Sequence, residues 1–169
     1  MNSNRYPVRN FNQDMLEIIK RLQPFQLASE IIHTRPLLRQ KLARALFCSP
    51  IDSEKALCET IKFLVLAAEN ADGQLTPSAR IDLAWHEFIL FTRTYQDFCD
   101  EHFGKMIHHE PSDNHQVNAQ QYANTLTRYR DRFGEPQSEY WGGAKLHCDQ
   151  DSDQHGKVSA SCGNCESDQ

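Results

Sequence analysis

Asp82 and His86 stand four residues apart in the run Ile81-Asp82-Leu83-Ala84-Trp85-His86-Glu87-Phe88. In a helix that spacing puts both side chains on one face, close enough to share a ligand or a hydrogen bond. Imidazole beside carboxylate is half of a metal site. It is equally a histidine whose tautomer the carboxylate fixes, or an ordinary helix-surface pair. His108 and His109 follow Gly104 in what reads as a loop, and a loop after a helix can fold back along it. Neighbouring residues of extended chain point to opposite sides, so one of the two histidines can turn inward. Asp82, His86 and His108 or His109 together have the two-histidine, one-carboxylate makeup of non-haem iron and catalytic zinc sites, with positions left open for water or substrate. Histidines that cap helix carbonyls would show the same spacing, and His102 near a helix end fits that role best.

A second set of candidate ligands lies near the end of the chain. His147-Cys148, His155 and Cys162-Gly-Asn-Cys165 fall in a segment without aromatic residues. A Cys-x2-Cys turn aims two thiolates at one ion, which makes Cys162 and Cys165 half of a zinc knuckle. Cys148 would begin the other half, with thirteen residues between it and Cys162, although its spacing from His147 is not that of a finger. A redox Cys-x2-Cys normally sits where a strand feeds a helix, and no strand pattern precedes this one. Cys48, Cys58 and Cys99 fall in apolar helical stretches and read as small hydrophobes.

The elements that would position these groups are helical throughout. Asn12–Leu22, Phe25–His33 and Leu37–Phe47 each carry apolar residues three and four apart, with Pro24, Pro36 and Ser49-Pro50 as breaks. Lys55–Asn70 follows, with Asp52 or Ser53 as its expected N-cap and Ala71-Asp72-Gly73 as its stop. Thr76-Pro77 reads as the cap and first residue of a long helix to about His102. Its stripe is Ile81, Ala84, Trp85, Phe88, Thr92, Tyr95, Cys99 and Phe103. Leu83 and Leu90 lie off that stripe, so this helix is expected at the centre of the core. Gly104 ends it. Val117–Phe133 is the last helix, and Tyr140-Trp141 is expected to dock the chain end on the bundle. The predicted fold is an all-α bundle of five or six helices over residues 1–141, with a flexible or metal-ordered cysteine-bearing arm over 142–169.

Composition narrows the partners. The formal charge is −5, and 39% of residues are apolar. Residues 1–80 sum to +3 and residues 81–169 to −8, with no clustered basic stripe, so nucleic acid is not an expected partner. There is no run of eighteen apolar residues, so no membrane span is expected, and Met1–Phe11 has no apolar core of a signal peptide. A cytoplasmic location with reduced thiols is the expectation.

The run from Ile81 to Phe88, with Tyr95, Phe98-Cys99, Phe103-Gly104 and Ile107-His108-His109, resembles the glycine-rich-domain-containing-protein-like family. That family centres on an Asp-x-x-Trp-His helix, a following Tyr and Cys, and a loop histidine. Many members carry a second histidine two residues after the first, where this chain has Phe88. The resemblance covers residues 75–111 and implies a family but no settled reaction.

Two readings of function follow. One is a small metal-binding helical protein, a zinc or non-haem iron metalloenzyme if the core site keeps open positions. The other is an interaction module in which Asp82 and His86 are a structural lock and the tail binds a protein partner. A thiol-redox protein acting through Cys162 and Cys165 is a third.

Overall fold

The computed structural model describes residues 11–70 and 75–142. The described residues form eight helices and no strand. These are α1 (Phe11–Arg21), α2 (Pro24–Thr34), α3 (Pro36–Ala45), α4 (Pro50–Glu69), α5 (Ala79–Ile89), α6 (Thr92–Phe103), α7 (His115–Phe133) and α8 (Ser138–Trp141). No helix among them is long and apolar enough to cross a membrane. The cysteines and histidines beyond Gly142, the expected stop at Ala71-Asp72-Gly73 and the 142–169 arm lie outside the described residues, apart from Gly142 itself.

The all-α expectation agrees with this architecture, and the helix boundaries differ from the expected ones at two N-caps. Ser49-Pro50 is a start, not only a break: Ser49 Oγ accepts the Asp52 N–H at 3.2 Å, and Pro50 occupies the first turn, where its missing N–H costs nothing. The fourth helix therefore begins ahead of the expected caps Asp52 and Ser53. In the same way Ser78, not Thr76, caps α5 by accepting the Ile81 N–H at 3.2 Å.

The long helix expected from Pro77 to His102 is two helices. Trp85 and Tyr95 are ten residues apart, which is about 15 Å along a continuous helix. Trp85 Nε1–H donates to the Tyr95 hydroxyl at 3.0 Å, so the chain must turn between them. It does so at Leu90 and Phe91: Phe91 leaves the helical region with φ −86 and ψ 59, and its N–H reaches the Phe88 carbonyl at 3.1 Å. The turn lets one apolar stripe close on itself. Phe88 packs edge-on against Tyr95 and against Phe98, at 5.2 and 5.5 Å between centroids.

The centre of the core is α4, not the expected long helix. Twelve of its twenty residues are buried, and α1, α2, α3, α5 and α7 all pack on it. Burial on every side explains why its apolar positions look unfocused in sequence. Leu83 and Leu90 face outward, 48% and 68% exposed.

One charged residue belongs to this core. Glu59 is buried, and its carboxylate accepts from Tyr129 Oη at 2.6 Å, Trp141 Nε1 at 2.7 Å and Lys62 Nζ at 2.7 Å. Those bonds tie α4 to α7 and α8. Tyr122 Oη also donates to the Trp141 carbonyl, so the Tyr140-Trp141 pair docks the chain end as expected.

A candidate metal centre

The site begins with Trp85, which α5 buries beside Phe63 of α4 at a centroid distance of 5.3 Å. The Trp85 indole N–H is held by Tyr95, whose hydroxyl in turn donates to the Ile107 carbonyl at 2.6 Å. Burial and the neighbouring Cys99 push the Tyr95 phenol well above its ordinary range, so it stays protonated and able to donate. This relay from α5 through α6 pins the segment after Gly104. Gly104 itself, at φ 63, reverses the chain out of α6.

With Ile107 fixed, the next inward-turning side chain is His109. Its ring packs against Trp85 at 4.5 Å between centroids and against His86 at 4.4 Å. His109 Nε2 lies 2.8 Å from Asp82 Oδ1, and His86 Nδ1 lies 3.5 Å from Asp82 Oδ2. One donor atom from each of Asp82, His86 and His109 falls within 4.8 Å of the others, the geometry of residues able to surround a single ion. His109 is mostly covered, with 15% of its side chain exposed, whereas the His86 side chain is 49% exposed at the rim.

The structure thus decides between the loop histidines. His109 joins the cluster, and His108 is exposed and outside it. The alternation of extended chain accounts for the difference: with Ile107 buried, His108 points away and His109 returns. His102 stays on α6 with its ring against Phe98 at 4.8 Å. Cys99 is fully buried and Cys58 nearly so, and burial raises both thiols, Cys58 to about 11. Cys48 is half-buried against the core. Cys148, Cys162 and Cys165 lie outside the described residues.

One support of the site and one buried acid elsewhere in the core were not expected from the sequence. The bond from Tyr95 to the Ile107 carbonyl leaves no signal, because a backbone acceptor can be any residue. Glu59 did leave one: an acid in the apolar run of Lys55–Asn70, with Lys62 three residues on.

Fold and site together describe a small helical bundle with a His/His/Asp cluster at the junction of a helix and the loop that folds back on it. A family model, UCP032817-like, matches residues 19–132, and the chain belongs to that family. This corrects the resemblance to the glycine-rich-domain-containing-protein-like family. That resemblance rested on one helical run and one loop, with Phe88 already departing from its pattern, whereas the match extends from α1 into α7 and contains the whole cluster. No curated protein and no solved structure matches the chain.

Proposed function

We propose that the protein binds a divalent metal ion through Asp82, His86 and His109. The observation that carries this is the convergence of the three donor atoms within 4.8 Å of one another, from two elements twenty-seven residues apart. Zinc suits two imidazoles and a carboxylate, and iron(II) accepts the same donors. The rigid backing supports the same reading, since Trp85, Tyr95 and the Ile107 carbonyl fix ring positions in the way that supporting residues fix metal ligands. The ion would replace the His109–Asp82 bond, so the proton on His109 Nε2 moves to Nδ1 or leaves.

Elemental analysis of untagged protein, purified with zinc and iron(II) supplied separately, tests this in a Cys148→Ser, Cys162→Ser, Cys165→Ser background. One equivalent of metal is expected, lost in His86→Ala with the fold retained by circular dichroism. An empty protein under both conditions would sink the proposal.

A second reading is favoured by the 2.8 Å contact between His109 and Asp82. That bond already satisfies both groups and staples the loop to α5, as a structural lock would. Loss of cooperative unfolding in Asp82→Ala, with no metal bound by the parent protein, is its signature.

A further inference from the structure

The outer side of α3 is basic and carries apolar side chains that nothing covers. Leu38, Leu42 and Leu46 turn into the core, while Leu37, Lys41 and Arg44 follow one another at helical spacing on the exposed side. From Ile31 to Ile51 the sequence holds Arg35, Arg39, Lys41 and Arg44 and no Asp or Glu, in a chain whose formal charge is −5. The next acid, Asp52, is already engaged by Lys55 at 3.0 Å. Arg35 and Arg39 bond only to neutral groups, the first to Thr94 Oγ1 and the Thr34 carbonyl and the second to the Pro50 carbonyl. The Arg44 guanidinium has no partner among the described residues. Arg39 and Arg44 line an open groove of about 410 Å³ with Pro36, Ala43 and Pro50, between α3 and the start of α4.

Phe47 stands in the link between those helices. Its backbone is left-handed at φ 49 and its side chain is 97% exposed. Both features are unfavourable, and no contact inside the chain offsets either. Ile51, just beyond Pro50, is 65% exposed, and Leu37 at the other end of α3 is 56% exposed. An aromatic ring held out among unpaired cations has its partner outside the fold.

We propose that this face docks on an anionic lipid bilayer, with Phe47 and Ile51 entering the boundary between headgroups and acyl chains and with Arg39, Lys41 and Arg44 binding the headgroup anions. Stable attachment to a bilayer takes two signals, apolar insertion and basic charge, and this face has both. It needs no membrane-spanning helix. The guanidinium fork suits phosphate and carboxylate, the two anionic groups of phosphatidylserine. A bilayer fits better than an acidic protein because of Phe47. A protein groove shelters its apolar anchor, whereas this ring projects clear of its neighbours, as suits a fluid partner that closes around it.

Sedimentation of the full-length protein with vesicles tests this, using phosphatidylcholine alone against phosphatidylcholine with one-third phosphatidylserine. Co-sedimentation is expected with the second and not with the first, and added salt should weaken it. Arg39→Gln/Arg44→Gln should lower the partition coefficient by about tenfold or more. Phe47→Gly should lower it by about fivefold or more with the fold retained by circular dichroism, a result that a merely structural role for Phe47 would not produce. Trp85 and Trp141 are buried, so in Phe47→Trp the added emission reports the docking face, and it should shift to the blue on the mixed vesicles. Failure to sediment with the mixed vesicles overturns the proposal. So does binding that Phe47→Gly leaves unchanged, which means attraction without insertion. Binding of soluble poly-glutamate that depends on Arg39 and Arg44, without binding to vesicles, gives the face to an acidic protein and overturns the lipid reading. None of these outcomes involves Asp82, His86 or His109, so the metal-binding reading stands or falls separately.

Discussion

His109 Nε2 lies 2.8 Å from Asp82 Oδ1, a contact that joins the loop after α6 to the first turns of α5. Since a carboxylate only accepts, the histidine donates through Nε2. The pair makes the loop and the helix one unit whether or not an ion later takes the place of the proton. What holds the pair in register is the relay from Trp85 through Tyr95 to the Ile107 carbonyl.

Tyr95→Phe is the cleanest disturbance of that relay. It removes one oxygen and leaves the Trp85 N–H and the Ile107 carbonyl unpaired in the core. The expected loss is about 2 kcal/mol of stability, measured by urea denaturation. Metal affinity should fall as well, because His109 is two residues from the freed carbonyl. Unchanged stability and affinity would show that the relay positions nothing.

Glu59→Ala should cost more, about 3 kcal/mol or above. It strands the Trp141 indole N–H in the core and leaves the Tyr129 hydroxyl and the Lys62 ammonium with each other as partners. Both α7 and α8 lose this tie to α4, while the bonds Lys62–Tyr129, Arg132–Glu69 and Tyr140–Asp52 remain. The check is chemical denaturation followed by tryptophan fluorescence, since Trp141 sits on the broken bond. A loss below about 1 kcal/mol would mean that water replaces the carboxylate without penalty.

Phe47→Gly should stabilise the protein. Phe47 closes α3 at φ 49 with its side chain 97% exposed, and the Cys48 N–H bonds back to the Ala43 carbonyl at 3.0 Å. This is the left-handed closing position that glycine fills without strain. Relief of about 1–2 kcal/mol of steric cost, less the extra freedom of glycine in the unfolded chain, leaves a net gain of about 0.5–1 kcal/mol. A lower midpoint in thermal denaturation would contradict this.

Alkaline stability follows from two buried acids. Burial pushes the Cys58 thiol from 9.0 up to about 11, and burial with the nearby Glu139 pushes the Tyr140 phenol from 10.0 up to about 12. Above pH 9 the unfolded chain sheds the Cys58 proton while the folded chain keeps it, so raising the pH favours unfolding. The stability that depends on these groups is complete below pH 9 and is lost as the pH rises through 11 to 12. Each unit of separation is worth about 1.4 kcal/mol. Denaturation midpoints should hold up to pH 9 and then fall, and Cys58→Ala should blunt the first part of the decline. A flat profile through pH 11 would refute the burial argument for Cys58.

The helical class and the Asp82–His86 pair were legible in sequence because both depend on local spacing. The break at Leu90-Phe91 was not: neither Gly nor Pro marks it, and it exists because Phe88, Tyr95 and Phe98 pack better across a turn than along a rod. The centrality of α4 was hidden by its being apolar all round, while the exposed Leu83 and Leu90 made α5 look more buried than it is. Choosing His109 over His108 needed the position of the Ile107 carbonyl, which Tyr95 sets from another helix. Family membership likewise rests on the whole bundle and not on the one motif that stands out to the eye.

The central claim is that one histidine of an adjacent pair holds metal and the other does not. Zinc affinity, measured by competition with a chromophoric chelator, should be compared in His108→Ala and His109→Ala. The first is expected to bind zinc like the parent protein, and the second to lose about 100-fold or more in affinity while keeping its helical content. Equal affinities in the two variants, or a greater loss in His108→Ala, would contradict the Asp82–His86–His109 site.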